Sequence, residues 1–243
     1  MTPSAVALVP ARGGSLRVPG KNVAPLAGHP LIAYTIAGAL ESEIFAEVVV
    51  STDSPEIAAV SERYGATVVT RPPELATATS PDVDWVVHAM SGRDEDAFAL
   101  LRPTSPFRTA ATIRRAWERF LELGDRADSI RAVEPCRHHP AKMWALDGDL
   151  MRPVLERPDP GTPWHSMQYQ SLPPVYRQNS SLEIAWRRVL EGEPSIAGER
   201  VAPFFTEGEE GFSIDYPEDL ERAERLAAGG EAELPRIPAE LRA

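Results

Sequence analysis

The chain predicts an α/β fold, a mainly parallel sheet covered by helices on both faces. Three observations predict it. Short, near-continuous apolar runs recur through the first ~130 residues, amphipathic segments with helix caps separate them, and the polar stretches gather just after the runs. In such a sheet, ligands bind outside the carboxyl ends of the strands.

The elements follow in order. AVALVP at 5–10 reads as a buried strand that ends at a Gly-rich stretch. Pro30 then suits a first helical turn, and HPLIAYTIAGALES carries its helical face at Leu31, Tyr34, Thr35 and Ile36, then Ala39 and Leu40. EVVVST at 47–52 is a second strand; Ser54 caps the next helix with Pro55 at its first position. TVVTR at 67–71 is a third strand, and Ser80-Pro81 repeats the Ser-Pro helix start before DVDWVVHAMS. AFALL at 97–101 is a fourth strand. Thr109 then caps a helix with Ile113, Trp117, Phe120 and Leu121 on one face and Gly124 as its stop. A further strand spans 129–133.

The pattern changes near Pro135. A hairpin is expected around Asp147-Gly148, a Pro-rich irregular stretch over 152–174, a strand over 179–186 and a short helix in RRVLEG. Alternation resumes with a strand at 211–214, then Asp215, then a helix from Pro217 to about Ala228. The predicted organisation is therefore a catalytic domain of 1–135 and 206–228, an insertion of 136–205 and a polar, frayed tail of 229–243.

Composition narrows the function classes. The 243 residues carry a net charge of −11, which sets the chain against nucleic acid and anionic membranes as partners. MTPSAVALVPAR lacks a basic n-region and a long apolar stretch, so no signal peptide is expected, and no run reaches membrane-spanning length. Cys136 is the sole cysteine, which fits a reducing cytoplasm. Of 25 basic residues only Lys21 and Lys142 are lysines. In an Arg-biased chain a retained lysine hints at a need for a compact ammonium. Adjacent His138 and His139 point different ways and lack a third ligand spaced nearby, so no metal is assigned to them.

The stretch PARGGSLRVPGKN follows the first strand. It lacks the spacing of a P-loop, and Asn22 stands where that loop needs Ser or Thr; it also lacks the G-x-G-x-x-G of a dinucleotide fold. Two readings remain. Gly13 and Gly14 can bring backbone N–H groups close to an anion, with Arg12, Arg17 and Lys21 adding charge; or the stretch is a glycine-rich turn with solvated basic residues.

PARGGS, PGKN, LAGHPLIAYTI, VVVSTDS, Arg71-Pro72, LRPTSPFR and IDYPEDLERAE stand in an order that resembles the acylneuraminate cytidylyltransferases, the CMP-sialic acid synthetases, from about Val6 to Leu226. The resemblance implies a three-layer nucleotidyltransferase α/β fold with an inserted arm that makes a homodimer. It implies transfer of CMP from CTP to a hydroxyl of a sugar acid, with release of pyrophosphate. Arg12, Ser15, Arg17 and Lys21 would hold the triphosphate, together with the backbone of Gly13 and Gly14. Ala11, Asn22, Arg71 and Ser80 would contact the cytosine and ribose. Arg102, Thr104, Lys142, Tyr176, Gln178 and Asn179 would meet the anionic acceptor. Asp215 would ligate Mg²⁺, although the same residue could instead cap the helix that opens at Pro217.

Four positions depart from that pattern. Leu16 replaces a usual lysine, with Arg17 supplying the charge as in the related KDO cytidylyltransferases. Arg102 replaces a usual Gln, Ser180 a usual Gly, and Ser213 the first Asp of the usual D-I-D. These changes bear on the acceptor more than on the chemistry, and point to a nonulosonic acid related to sialic acid. The alternatives are a nucleotidyltransferase of the same fold using GTP or charging a phosphonate or sugar phosphate, and an inactive nucleotide-binding homologue.

Overall fold

The structure, a computed structural model, describes residues 2–15, 17–238 and 241. Leu16, and with it the question of the displaced lysine, lies outside the described residues. In chain order the strands and helices are β1 (Ala5–Pro10), β2 (Pro25–Leu26), β3 (His29–Pro30), α1 (Leu31–Ser42), β4 (Glu47–Thr52), α2 (Pro55–Arg63), β5 (Thr67–Thr70), α3 (Asp82–Met90), β6 (Ala97–Leu100), α4 (Ala110–Leu123), β7 (Ser129–Pro135), β8 (Trp144–Asp147), β9 (Leu150–Pro153), β10 (Tyr176–Trp186), β11 (Val201–Phe205) and α5 (Pro217–Ala228).

The central sheet has the order β11-β7-β10-β6-β1-β4-β5. β1 pairs in parallel with β4 and with β6, and β4 with β5, whereas β10 runs antiparallel to β6. Period-two side-chain alternation splits β1 between two cores. Ala5, Ala7 and Val9 join Ile32 and Ile36 of α1, Ile57 of α2 and Ile113 of α4 on one face. Val6 and Leu8 meet Trp85, Val86 and Met90 of α3 on the other. Each large side chain so buried contributes about 1.5–3 kcal/mol. A third cluster seats Ala223 and Leu226 of α5 against Leu26, Leu31, Tyr34 and Phe107.

Helix starts follow their caps. Ser54 Oγ accepts from Ile57 N at 3.4 Å and Thr109 Oγ1 from Thr112 N at 3.4 Å. Ser80 does not repeat the device: Pro81 precedes α3, and Ser80 Oγ accepts from Thr77 N and donates to the Glu74 carbonyl, tying off the loop before the helix.

Two expectations are corrected. Residues 211–214 are not a strand; Ile214 N donates to the Thr104 carbonyl as part of a loop. The late strand is instead β11, VAPFF, at the end of the strand order, where Pro203 can sit because an edge strand has a side that needs no N–H. Among its described residues the tail is polar in composition but packed as far as 238, since Leu234 and Ile237 pack on the third cluster and Pro235 lies over Gly38 of α1.

The chain forms two compact units, 1–132 with 179–243, and 133–178. The second is shorter than the 136–205 insertion, because β10 leads the chain back into the central sheet. Within it, Gly148 at φ +59° turns the β8–β9 hairpin as the sequence predicts. His139 uses both ring nitrogens, accepting from Ala141 N and donating to the Pro173 carbonyl. Among the described residues, no helix is long and apolar enough to cross a membrane.

Candidate active site

The chain runs outward from β1 to β4 and β5, then returns to the other side of β1 as β6. A crevice opens where that direction reverses, beyond the carboxyl ends of β1 and β6. A pocket of about 490 Å³ lies there. Its lining brings together Arg12, Ser15, Arg17, Lys21, Asn22, Arg71, Ser80, Arg102 and Thr104 from the residues the sequence nominates.

The loop after β1 is fixed from behind. Ala11 is buried and its N–H donates to the Ser51 carbonyl. Gly13 N donates to Asp53 Oδ1 at 2.8 Å, so this N–H is engaged by protein, against the expectation that it faces an anion. A Cβ on Gly13 would sit 3.2 Å from Ser54 Cβ, whereas Gly14 has open space around it. Gly20, at φ +65°, opens the single turn Lys21–Val23. Asn22 is buried and its Nδ2 donates to the Arg12 carbonyl at 3.2 Å, so its amide braces the loop beside the pocket.

The basic end of the pocket closes on one carboxylate. Lys21 Nζ donates to the Ile214 carbonyl at 2.8 Å and lies 3.8 Å from Asp215 Oδ1. Arg17 NH1 lies 3.6 Å from the same oxygen, and its guanidinium stands over the Tyr216 ring. Ser213 Oγ donates to Asp215 Oδ2 at 3.0 Å. Burial pushes the Lys21 ammonium below its ordinary 10.5, with Asp215 partly opposing. Asp215 does not cap α5. Tyr216 holds the cap position, and Asp219 Oδ2 accepts from both Asp215 N and Tyr216 N. The carboxylate of Asp215 is thereby left to the basic loop.

Arg71 forms the pocket's deep wall. Its Nε donates to Ser51 Oγ at 3.0 Å and its NH2 to the Ser51 carbonyl at 2.9 Å, with the guanidinium over Trp85. Burial lowers its pKa to about 10, with Asp53 and Asp82 opposing, so it stays charged at neutral pH.

The opposite wall is charge-balanced. Arg102 NH2 donates to Asp82 Oδ2 at 2.6 Å and to Glu183 Oε1 at 3.3 Å, and Arg131 NH2 lies 3.1 Å from Glu183 Oε2. Burial acts against the Arg102 charge, but Asp82 and Glu183 outweigh it and raise its pKa. Burial likewise acts against the Asp82 carboxylate, and Arg102 and Trp85 outweigh it downward. Behind this wall Arg108 is fully buried. It donates to the carbonyls of Ser181 and Arg102 and to Thr35 Oγ1, and burial lowers its pKa to about 9.

The remaining nominated residues lie elsewhere. Asn179, on β10, is buried; its Nδ2 donates to Thr206 Oγ1 at 2.9 Å and its Oδ1 accepts from Ser181 N at 3.1 Å. Lys142, Tyr176 and Gln178 belong to the second unit. There Lys142 Nζ donates to the carbonyls of His165 and Met167, and Tyr176 is exposed. Sequence reasoning missed Asp82, Trp85, Glu183 and Arg131. Only Glu183 carried a signal, an acidic residue inside the apolar run of a strand.

A cytidylyltransferase family model matches residues 6–238. The chain belongs to this family. Within the family it is 37% identical over 231 residues to the CMP-N,N'-diacetyllegionaminic acid synthase of Legionella pneumophila, covering 91% of this chain and 95% of that one. It is 45% identical over 119 residues to an N-acylneuraminate cytidylyltransferase of Escherichia coli, covering 49% of this chain and 28% of that longer protein. Among solved structures, a CMP:2-keto-3-deoxy-manno-octonic acid synthetase complexed with CTP aligns over 93% of this chain and 99% of its own, with a TM-score of 0.69 at 18% identity. At that identity the likeness concerns the fold, the three-layer sheet with flanking helices.

Proposed function

We propose that this chain transfers CMP from CTP to a hydroxyl of a sialic-acid-like nonulosonic acid. The observation that carries the reading is the basic pocket at the sheet's reversal point, with Arg12, Arg17 and Lys21 on one loop and Arg71 opposite. The acceptor oxygen forms a bond to the α-phosphorus, the bond to pyrophosphate breaks, and the hydroxyl proton is released. Such chemistry asks mainly for alignment and charge neutralisation. Arg12, Ser15, Arg17 and Lys21 bind the triphosphate in this scheme. Arg71, Ser80 and the backbone at Ala11 shape the nucleoside end, and Arg102 and Thr104 face the acceptor.

A divalent cation fits at Asp215. Among the described residues no group of three or more His, Cys, Asp or Glu could hold a metal. Mg²⁺ accepts such a donor set, since one carboxylate with phosphate oxygens and water completes its shell. When bound, the cation neutralises triphosphate charge. Arg17 and Lys21 already pair with Asp215, so the phosphates compete for those cations and release the carboxylate.

The acceptor class rests on the similarity to a legionaminic acid synthase over nearly the full length of both chains. The test is CMP transfer in the presence of CTP and Mg²⁺ to a panel of N-acetylneuraminic acid, N,N'-diacetyllegionaminic acid and 2-keto-3-deoxy-octonic acid, read as pyrophosphate release. Turnover of a nonulosonic acid well above the eight-carbon acid is expected; turnover of none of the three sinks the reading.

The second unit serves as a dimerisation arm in this scheme. Leu146 is 84% and Leu150 77% exposed on the hairpin, more apolar surface than a hairpin usually gives to water. Light scattering is expected to give twice the 26.6 kDa chain mass, and Leu146→Asp with Leu150→Asp to give the monomer. A monomeric wild type would refute the arm.

A further inference from the structure

Glu183, behind the lining residue Arg102, is a buried carboxylate, 4% exposed, on a strand otherwise filled by Leu182, Ile184 and Ala185. A carboxylate in such a place costs more than an apolar residue of the same volume unless it is fully paired, and even then the pair adds little net stability. Here it is paired twice. Arg131, on β7, forms an ion pair with Oε2 at 3.1 Å without hydrogen-bond geometry, and Arg102 donates to Oε1 from the segment after β6. Arg131 lies on β7 and Arg102 just past the end of β6, the two strands that flank β10.

The way Arg102 is held differs from a closed ion pair. Both of its carboxylates, Glu183 and Asp82, are met by the same nitrogen, NH2. Nε and NH1 have no partner among the described residues. Both forked edges of a guanidinium, Nε–NH2 and NH1–NH2, include NH2, so a partner that leaves NH2 opens a two-donor edge that matches a carboxylate. Arg108 steadies the same segment from below by donating to the Arg102 carbonyl at 3.3 Å. The partners also differ in burial. Glu183 is buried and anchored by Arg131, whereas the Asp82 side chain is 35% exposed in the pocket.

Resting on the acceptor class assigned above, we propose that Glu183 is a positioning residue for acceptor recognition. Paired with Arg131, it holds Arg102 through one hydrogen of NH2, so that the forked edge opened when Asp82 leaves NH2 receives the carboxylate of the sugar acid. Asp82 is the exchangeable partner that swings aside when the acceptor enters. Glu183 itself touches no reacting atom.

The experiment measures CMP transfer to N-acetylneuraminic acid and N,N'-diacetyllegionaminic acid, and to the methyl ester of each, with CTP affinity measured separately by calorimetry. Wild type, Glu183→Gln, Arg102→Gln and the double variant are compared. Glu183→Gln is expected to raise the acceptor KM about tenfold while the CTP Kd stays within about twofold. Its preference for acid over ester should fall to that of Arg102→Gln, and the double variant should be no worse than Arg102→Gln alone, as residues acting as one unit require. A merely structural ion pair would lower the melting temperature and leave the acid-over-ester ratio at its wild-type value, and that result overturns the proposal. So does an equal loss of CTP and acceptor binding. If Glu183→Gln fails to fold, Glu183→Asp keeps the charge and shortens the reach, and must shift the same ratio. Wild type that binds CTP but turns over neither acid removes the acceptor reading itself, and this proposal with it.

Discussion

The two walls of the pocket handle positive charge in opposite ways. On the loop after β1, Arg17 and Lys21 converge on the single carboxylate of Asp215, with Arg12 beside them. Beyond β6, two arginines alternate with two carboxylates in the chain Asp82–Arg102–Glu183–Arg131. The first wall carries surplus charge that only a polyanion can satisfy. The second is neutral, so it contributes direction rather than net attraction. A site that must bind a triphosphate strongly and a singly charged acceptor selectively is well served by that division.

The largest expected effect breaks the surplus. Lys21→Ala removes a half-buried ammonium from the basic loop and should lower kcat/KM for CTP by about 10²–10³-fold. Steady-state kinetics with each substrate varied checks it; an equal rise in acceptor KM would erase the contrast between the walls.

A smaller effect, of opposite sign, comes from Asp215→Asn. Without metal, CTP should bind about three- to tenfold more tightly, because the competing anion is gone, while turnover with Mg²⁺ falls. Calorimetry in EDTA reads the first half, and weaker metal-free binding would show that Asp215 does not compete for the cations.

The smallest effect is on pH. Burial lowers the Lys21 pKa from 10.5, so its charge is present below the folded pKa and is lost as pH rises through it, earlier than for a solvated lysine. The linkage to stability has the reverse sign: keeping Lys21 charged costs folding free energy at neutral pH, and that cost fades as pH rises through the same value. CTP affinity should therefore fall on the alkaline side below pH 10.5, and Lys21→Arg should flatten that limb. An unchanged limb in the variant would assign the titration to another group.

Much of this was legible in the sequence, and the reasons differ by region. The strands of 5–10 and 47–52 announced themselves because buried parallel strands are apolar throughout. The basic loop announced itself because its charge sits among glycines and prolines. Residues 211–214 were misread because an apolar pair after Gly211 looks the same in a strand and in a loop that tucks Ile214 into a core. Asp82 and Arg131 stayed invisible for a different reason. A charged residue in a helix's first turn or on a strand is unremarkable until the fold sets it opposite Arg102 or Glu183, about 20 and 50 residues away in the chain.

The rarity of lysine has one more consequence. Of the two lysines, Lys21 donates to the Ile214 carbonyl inside the pocket and Lys142 to two carbonyls of the second unit. An amine-directed reagent therefore meets, apart from the chain's own α-amino group, just two side-chain targets, both already occupied by hydrogen bonds. Labelling followed by mass spectrometry becomes a two-channel recorder, one channel for the basic loop at Lys21 and one for the second unit at Lys142, with almost no background from the rest of the surface.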